Sequence, residues 1–226
     1  MSQHRANRSL SENTCSAEVV NQCVKFLVCR EGSKIPIRNS DIDNFIESVT
    51  KDKSKPNKKV VLENANKVLK SVYGYKLVQL KCKGIQYIMV LSDTLPSSSV
   101  RLQPTCVEPG HRKLLIACLT HIFMSGGTVK DIDMWQFLNS TSLLSEHDIQ
   151  GRKVLTHTFK KQLYLDVNKI GPDDQQKCEF SWGQRADEEI PKEFIINKMA
   201  QAFETEPQYW RKQYRYSQEN PSNVSE

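Results

Sequence analysis

GHRKLLIACLTHIFMSGGTVKDIDMWQFLN (110–139), then GRKVLTHTFKKQLYLDV (151–167) and CEFSWGQRADEEIPKEFIINKMAQAF (178–203), decide the fold. In the first stretch Leu114, Leu115, Cys118, Leu119, Ile122 and Phe123 recur at helical spacing, so 111–124 reads as an amphipathic helix. Gly126-Gly127 breaks it. Thr128 then stands as the cap of a second helix, with Asp131 in the capping-box position and Ile132, Trp135 and Leu138 facing inward. A third helix over about 148–161 is built around Val154, Leu155 and Phe159. Strands follow at about 162–168 and 176–182, joined by the turn residues of IGPDDQQ. Pro191 suits the first turn of a further helix, 191–203. Three helices and a two-stranded wing are the order of a winged helix.

The first half repeats that order without evident sequence identity to the second. Val20, Cys23, Val24 and Leu27 mark a helix over about 17–30, stopped at Gly32. Ile35-Pro36-Ile37 is extended, as residues before proline prefer. Ser40 is placed to cap a helix with Ile42, Phe45, Ile46 and Val49 on its apolar face. After the polar run KDKSKPNKK (51–59), a third helix buries Val61, Ala65, Val68, Leu69 and Val72 and ends near Gly74. Two strands, YKLVQLKC and IQYIMVLS, meet at Lys83-Gly84. The expected fold class is therefore mostly α with small β wings (α+β), as tandem winged-helix domains. The expected divisions are a disordered tail at 1–15, a first domain at 16–92, a linker rich in proline and serine at 93–109, a second domain at 110–205, and a C-terminal tail at 206–226, partly helical and then disordered.

Composition excludes several classes. The longest apolar run, near Leu114–Leu119, is far shorter than the roughly 20 residues of a bilayer span. The polar N-terminus lacks the apolar core of a secretory signal. The seven cysteines include no C-x-x-C pair, so reduced, buried thiols are expected and no metal site or cofactor. Among the five histidines and the paired acids Asp173-Asp174 and Glu188-Glu189, no nucleophile–base set converges, and no phosphate-binding or hydrolase motif occurs. The chain is not expected to be an enzyme. Residues 1–108 carry 17 Lys+Arg against 10 Asp+Glu, and residues 109–226 carry 15 against 16, so the net +6 resides in the first half. That asymmetry suits an anionic partner, nucleic acid ahead of membrane, or simply a solvated lysine-rich surface.

The chain resembles the MAGE homology domain family over roughly 17–203. The resemblance rests on FLVCREGSKIPI (26–37), GHRKLLIACLTHIFMSGG (110–127), Trp135-Gln136-Phe137-Leu138, GRKVLTHTFKKQLYLDV and EFSWGQRA (179–186). It implies a tandem winged-helix pair and a non-catalytic scaffold that binds a RING-type ubiquitin ligase. In the family's ancestral form, a subunit of the SMC five-six complex, it also implies a kleisin partner, DNA binding, DNA repair, and a nuclear, chromatin-associated location. The absence of a long extension favours that ancestral form. A specialised ubiquitin-ligase regulator outside that complex, or a free-standing winged-helix transcription factor, are the rival readings.

Carried over by resemblance, the RING partner meets Leu27, Val28, Ile35, Pro36 and Ile37. The family's dileucine falls at Leu27-Val28, and periodicity alone would place both residues in the core. The kleisin surface falls at Val154, Leu155 and Phe159. In EFSWGQRA, Ser181 and Gln184 replace the family's Leu and Pro. The cations nominated for DNA are Lys51, Lys53, Lys55, Lys58 and Lys59, with Arg112, Lys113, Arg152, Lys153, Lys160 and Lys161 in the second domain. Lysines contact phosphate as point charges, so such binding is weakly sequence-specific.

Overall fold

The computed structural model describes residues 17–50, 56–81, 84–92, 109–145, 147–170 and 177–219. The chain divides into two compact units, Met1–Ser97 and Ser98–Glu226. The first runs α1 (Ala17–Glu31), β1 (Ile37–Arg38), α2 (Asn39–Val49), α3 (Lys58–Val68, continued by a π-helical segment Leu69–Tyr73), β2 (Tyr75–Gln79) and β3 (Gln86–Leu91). The second repeats it with α4 (Pro109–Met124), β4 (Thr128–Lys130), α5 (Asp131–Ser140), α6 (Ile149–Lys153, continued by a π-helical segment Val154–Phe159), β5 (Leu165–Ile170) and β6 (Lys177–Trp182). It then adds α7 (Gln184–Glu189), α8 (Lys192–Ala202), a 3-10 turn (Pro207–Tyr209) and α9 (Arg211–Glu219). Each unit has one antiparallel three-stranded sheet with the last strand in the middle, β1-β3-β2 and β4-β6-β5. This is a mostly helical tandem winged-helix fold.

Each unit closes its own core. In the first, Cys23, Leu27, Ile42, Val61, Ala65 and Leu69 are fully buried where α1, α2 and α3 meet. In the second, Leu115, Leu119, Ile122, Met134, Leu138, Leu155 and Phe180 form the centre. Burying one such aliphatic side chain stabilises by roughly 1.5–3 kcal/mol, so these stripes hold each unit together. Burial also pushes the Cys118 thiol up to about 12, which makes it a small hydrophobe at neutral pH. Cys29 departs from the expected buried thiols and is exposed.

Several local expectations shift. Thr128 is not a helix cap: it lies in β4 opposite Ser181, and α5 follows with no side-chain cap on Lys130. Asp131 instead accepts a hydrogen bond at Oδ1 from Ile132 N at 2.9 Å. Ile132 is 60% exposed, because the face of α5 turned inward is centred on Met134 and Leu138. Ser40 does not cap α2 either, which begins at Asn39 with its side chain bonded to Asp43 at 2.9 Å. The left-handed residue after α1 is Lys34, not Gly32. Val72 is 69% exposed although the 3.6-residue pattern put it inside. The π-helical segment widens the turn and rotates Val72 outward while Leu69 stays buried.

The segment after Glu206 is helical over Arg211–Glu219 and packs on the second unit. Gln213 donates from Nε2 to the Met124 carbonyl at 2.9 Å, at the end of α4, and Trp210 and Tyr214 pack on the second core. The inner face of this helix is aromatic and amide rather than aliphatic. The expected tail at 1–15 and most of the expected linker lie outside the described residues.

Candidate functional site

Three surfaces were nominated, and the structure sorts their residues by burial. At the end of α1, Leu27 is fully buried and Ile37 is 3% exposed, in β1 opposite Tyr87. Both are core, as a stripe at helical spacing and a strand residue paired to β3 require. Val28 is half-buried against that core, Pro36 is half-buried and Ile35 is 42% exposed. The residues left for a partner are therefore Val28, Ile35 and Pro36. Their frame is stiff. Phe26 stacks on Phe45 with centroids 4.4 Å apart, Arg30 lies 4.7 Å over the Phe26 ring, and Arg30 pairs with Asp41 at 2.9 Å. Lys34 pairs back to Glu31 and fixes the turn that presents Ile35.

The three residues nominated for a kleisin fare similarly. Leu155 and Phe159 are core and Val154 is half-buried against it. They sit on the inward face of the third helix, so only Val154 has surface to offer.

The nominated cations split. Lys51, Lys53 and Lys55 lie outside the described residues. Lys58 is engaged: its Nζ is 2.7 Å from Asp43 and donates to Asn39 Oδ1 at 2.9 Å. Arg152 is half-buried, held 4.8 Å over the Trp135 ring. Lys59 and Lys113 are exposed and Arg112 is half-buried. Lys153, Lys160 and Lys161 are exposed on the third helix of the second unit, with Thr156 and His157 also exposed between them. Positions 153, 156, 157, 160 and 161 are all exposed along this helix, and none of them is acidic. In the first unit the corresponding exposed positions, Lys59, Glu63, Lys67 and Lys70, are interrupted by a carboxylate. His111 meets Phe159 edge-on at 6.4 Å, which packs the start of α4 against the end of the third helix. Lys160 donates to the Val167 carbonyl at 3.1 Å. Nearby Asp166 is held above the usual carboxylate range by burial first and by Asp187 second, against the pull of Lys160.

Sequence reading missed what holds this helix in place. Gly183 N donates to the Tyr164 carbonyl at 2.9 Å, Arg185 N to Leu163 at 3.0 Å, and Arg185 Nε to Gln162 at 2.9 Å. Three successive carbonyls after the third helix are thus sealed by the Gly-Gln-Arg of EFSWGQRA. The Arg185 side chain, 2% exposed, pairs with Glu189 at 3.1 Å, and Tyr164 donates to the same carboxylate at 2.7 Å. Trp182 adds a bond from Nε1 to the Leu119 carbonyl at 2.9 Å. The signal was the arginine in a motif otherwise read as a strand end: a charge next to Ala186 and Trp182 needs a buried partner.

His121 stacks flat on Phe137, with centroids 4.1 Å apart, and its Nε2 is buried with no hydrogen-bond partner among the described residues. Desolvation lowers its pKa from 6.5, only partly opposed by Asp133. The unfolded chain then takes up the proton first. The stability that neutral His121 contributes is complete above about 6.5 and is lost as pH falls below it. Thermal melts between pH 7.5 and pH 5 are expected to fall less steeply in His121→Phe than in the wild type.

Among the described residues no cluster of His, Cys, Asp or Glu could hold a metal ion, and no helix is long and apolar enough to cross a membrane.

The chain matches the MAGE homology domain over residues 23–92 and 90–193. It is 31% identical over 201 residues to the human non-structural maintenance of chromosomes element 3 homolog, covering 86% of this chain and 64% of that protein. The mouse homolog is also 31% identical over 201 residues, with 70% of its length covered. Melanoma-associated antigen D4 of Bos taurus is 29% identical over 202 residues, but these are only 26% of its length. A solved chain of an Nse1-Nse3-Nse4 complex superposes with a TM-score of 0.74 at 26% identity, covering 91% of this chain and 100% of that one. By sequence over most of its length and by its paired winged helices, the chain belongs to the MAGE homology domain family.

Proposed function

We propose that the protein is the MAGE-type subunit of an SMC five-six complex, a non-catalytic scaffold that binds a RING-type ubiquitin ligase and a kleisin and contributes weak, largely sequence-independent DNA binding in the nucleus. The observation that carries this reading is the solved Nse1-Nse3-Nse4 chain, which this protein covers end to end with both winged helices. The identity to the element 3 homologs supports it. A specialised ligase regulator is the second reading, favoured by the D4 relative and weakened by the small share of that protein matched. Purification of the tagged chain from its own cells tests the choice. Co-purification of a RING subunit, a kleisin and SMC proteins is expected. A RING ligase without SMC proteins would support the regulator.

For DNA, the reading rests on the carboxylate-free exposed positions of the second unit's third helix. The third helix is the element that enters the major groove in many helix-turn-helix relatives. Lys153→Glu, Lys160→Glu and Lys161→Glu together are expected to weaken duplex binding at least tenfold and equally on every sequence. The slope of log affinity against log salt should fall by about 0.9 for each phosphate that is no longer neutralised. Fluorescence anisotropy across a salt series measures both.

A further inference from the structure

The strongest surface outside those interfaces lies where α8 turns into α9. Phe203 is 63% exposed and Tyr209 is 72% exposed, more than a chain solvated on that side has reason to leave open. Both rings stand edge-to-face on Trp210, at 5.9 Å and 77° and at 5.3 Å and 87°, so neither is stacked on the other. Trp210 is half-buried on the second core and anchors the pair. The turn beneath is tight: Phe203 N bonds to Met199 O at 3.0 Å, Thr205 N to Ala200 O at 3.0 Å, and Glu204 takes a left-handed φ of 51°.

Directly after Trp210, α9 has one face fixed inward by Gln213, Tyr214 and Ser217, the last 3% exposed. Arg211, Lys212 and Arg215 are exposed. Two aromatic rings open to solvent therefore adjoin three cations. Exposed Glu204 and Glu206 on the turn offset part of that charge. With exposed Glu219 at the end of α9 the balance is too even for a surface that works by phosphate attraction alone, and in a duplex the base faces are stacked inward, away from such rings. Rings this exposed offer surface on which unpaired bases stack, and the neighbouring cations suit the backbone that joins those bases.

We propose that Phe203 and Tyr209, with Arg211, Lys212 and Arg215, form a docking site for single-stranded nucleic acid. It does not depend on the assignment to an SMC complex and is separate from the basic third helix. The bases stack on Phe203 and Tyr209, and the phosphates between them run along α9.

The test uses the full chain and a fluorescein-labelled oligothymidylate of about 15 nucleotides, near the upper site size of one binding module. Anisotropy is expected to give an affinity in roughly the 1–100 µM range. Phe203→Ala with Tyr209→Ala should weaken it about tenfold to a hundredfold. An abasic strand of equal charge should bind the wild type as weakly as oligothymidylate binds that variant. Arg211→Glu with Arg215→Glu should weaken oligothymidylate severalfold, an independent check should removal of the rings disturb the turn. The Lys153, Lys160 and Lys161 reversal should lower duplex binding far more than oligothymidylate binding, and the aromatic variant the reverse, so failure of one site is distinguishable from failure of the other. Equal binding of oligothymidylate and the abasic strand, or no loss in both the aromatic and arginine variants, would overturn the proposal. So would failure of the wild type to bind oligothymidylate, the result expected if the rings instead seat an apolar peptide.

Discussion

Arg185→Ala is expected to destabilise the second unit by about 3–5 kcal/mol, the loss typical of removing one partner of a buried ion pair. The substitution leaves the Glu189 carboxylate, 3% exposed, without its guanidinium. It also removes the Nε bond to the Gln162 carbonyl just past the third helix. Chemical denaturation followed by tryptophan fluorescence measures the effect, since Trp135, Trp182 and Trp210 all pack on that core. Gly183→Ala should be of similar size for a different reason. An added Cβ would lie 2.3 Å from the Leu163 carbonyl oxygen, a backbone atom that cannot move aside without breaking the seal. A change below about 1 kcal/mol in either variant would mean that the motif does not lock the third helix to the wing.

That lock explains what the sequence made legible. Apolar periodicity located both three-helix cores, because Leu115, Leu119 and Ile122, or Val61 and Ala65, are buried by an environment that repeats every 3.6 residues. It failed at particular residues where the backbone left that period. Val72 turns outward at a π-helical segment, and Thr128 joins a sheet whose partner strand lies some fifty residues later. Burial also divided the nominated site residues in a way spacing could not. Adjacent Leu27 and Val28 differ because one is fully buried within the core and the other lies partly buried at its margin. Lys58 and Arg152 carry charges already satisfied by Asp43 and by the Trp135 ring, contacts made only after folding. Phe203 and Tyr209 gave no periodic signal at all, since they stand on a turn.

The second large effect concerns the RING partner. Ile35→Asp is expected to weaken that complex at least thirtyfold, because an anchor residue at the centre of an interface contributes about 2 kcal/mol or more. A carboxylate desolvated there without a counter-ion adds to the loss. Ile35 is 42% exposed in the free protein, so folding should be unaffected and the melting temperature unchanged. Val28→Asp should weaken the complex too, but with a loss of stability, because Val28 is half-buried against the first core. Titration calorimetry with the purified RING subunit, alongside thermal melts, separates the two. Wild-type affinity in folded Ile35→Asp would remove the α1–β1 corner from the interface.

The central claim is that this chain joins a RING subunit to a kleisin. The most direct measurement is size-exclusion chromatography with light scattering on the three purified proteins, mixed pairwise and together. The account predicts a single 1:1:1 species for the three, and a 1:1 complex of this chain with each partner alone. A RING subunit and kleisin that associate equally well without this chain, while it elutes separately as a 26.0 kDa monomer, would contradict it.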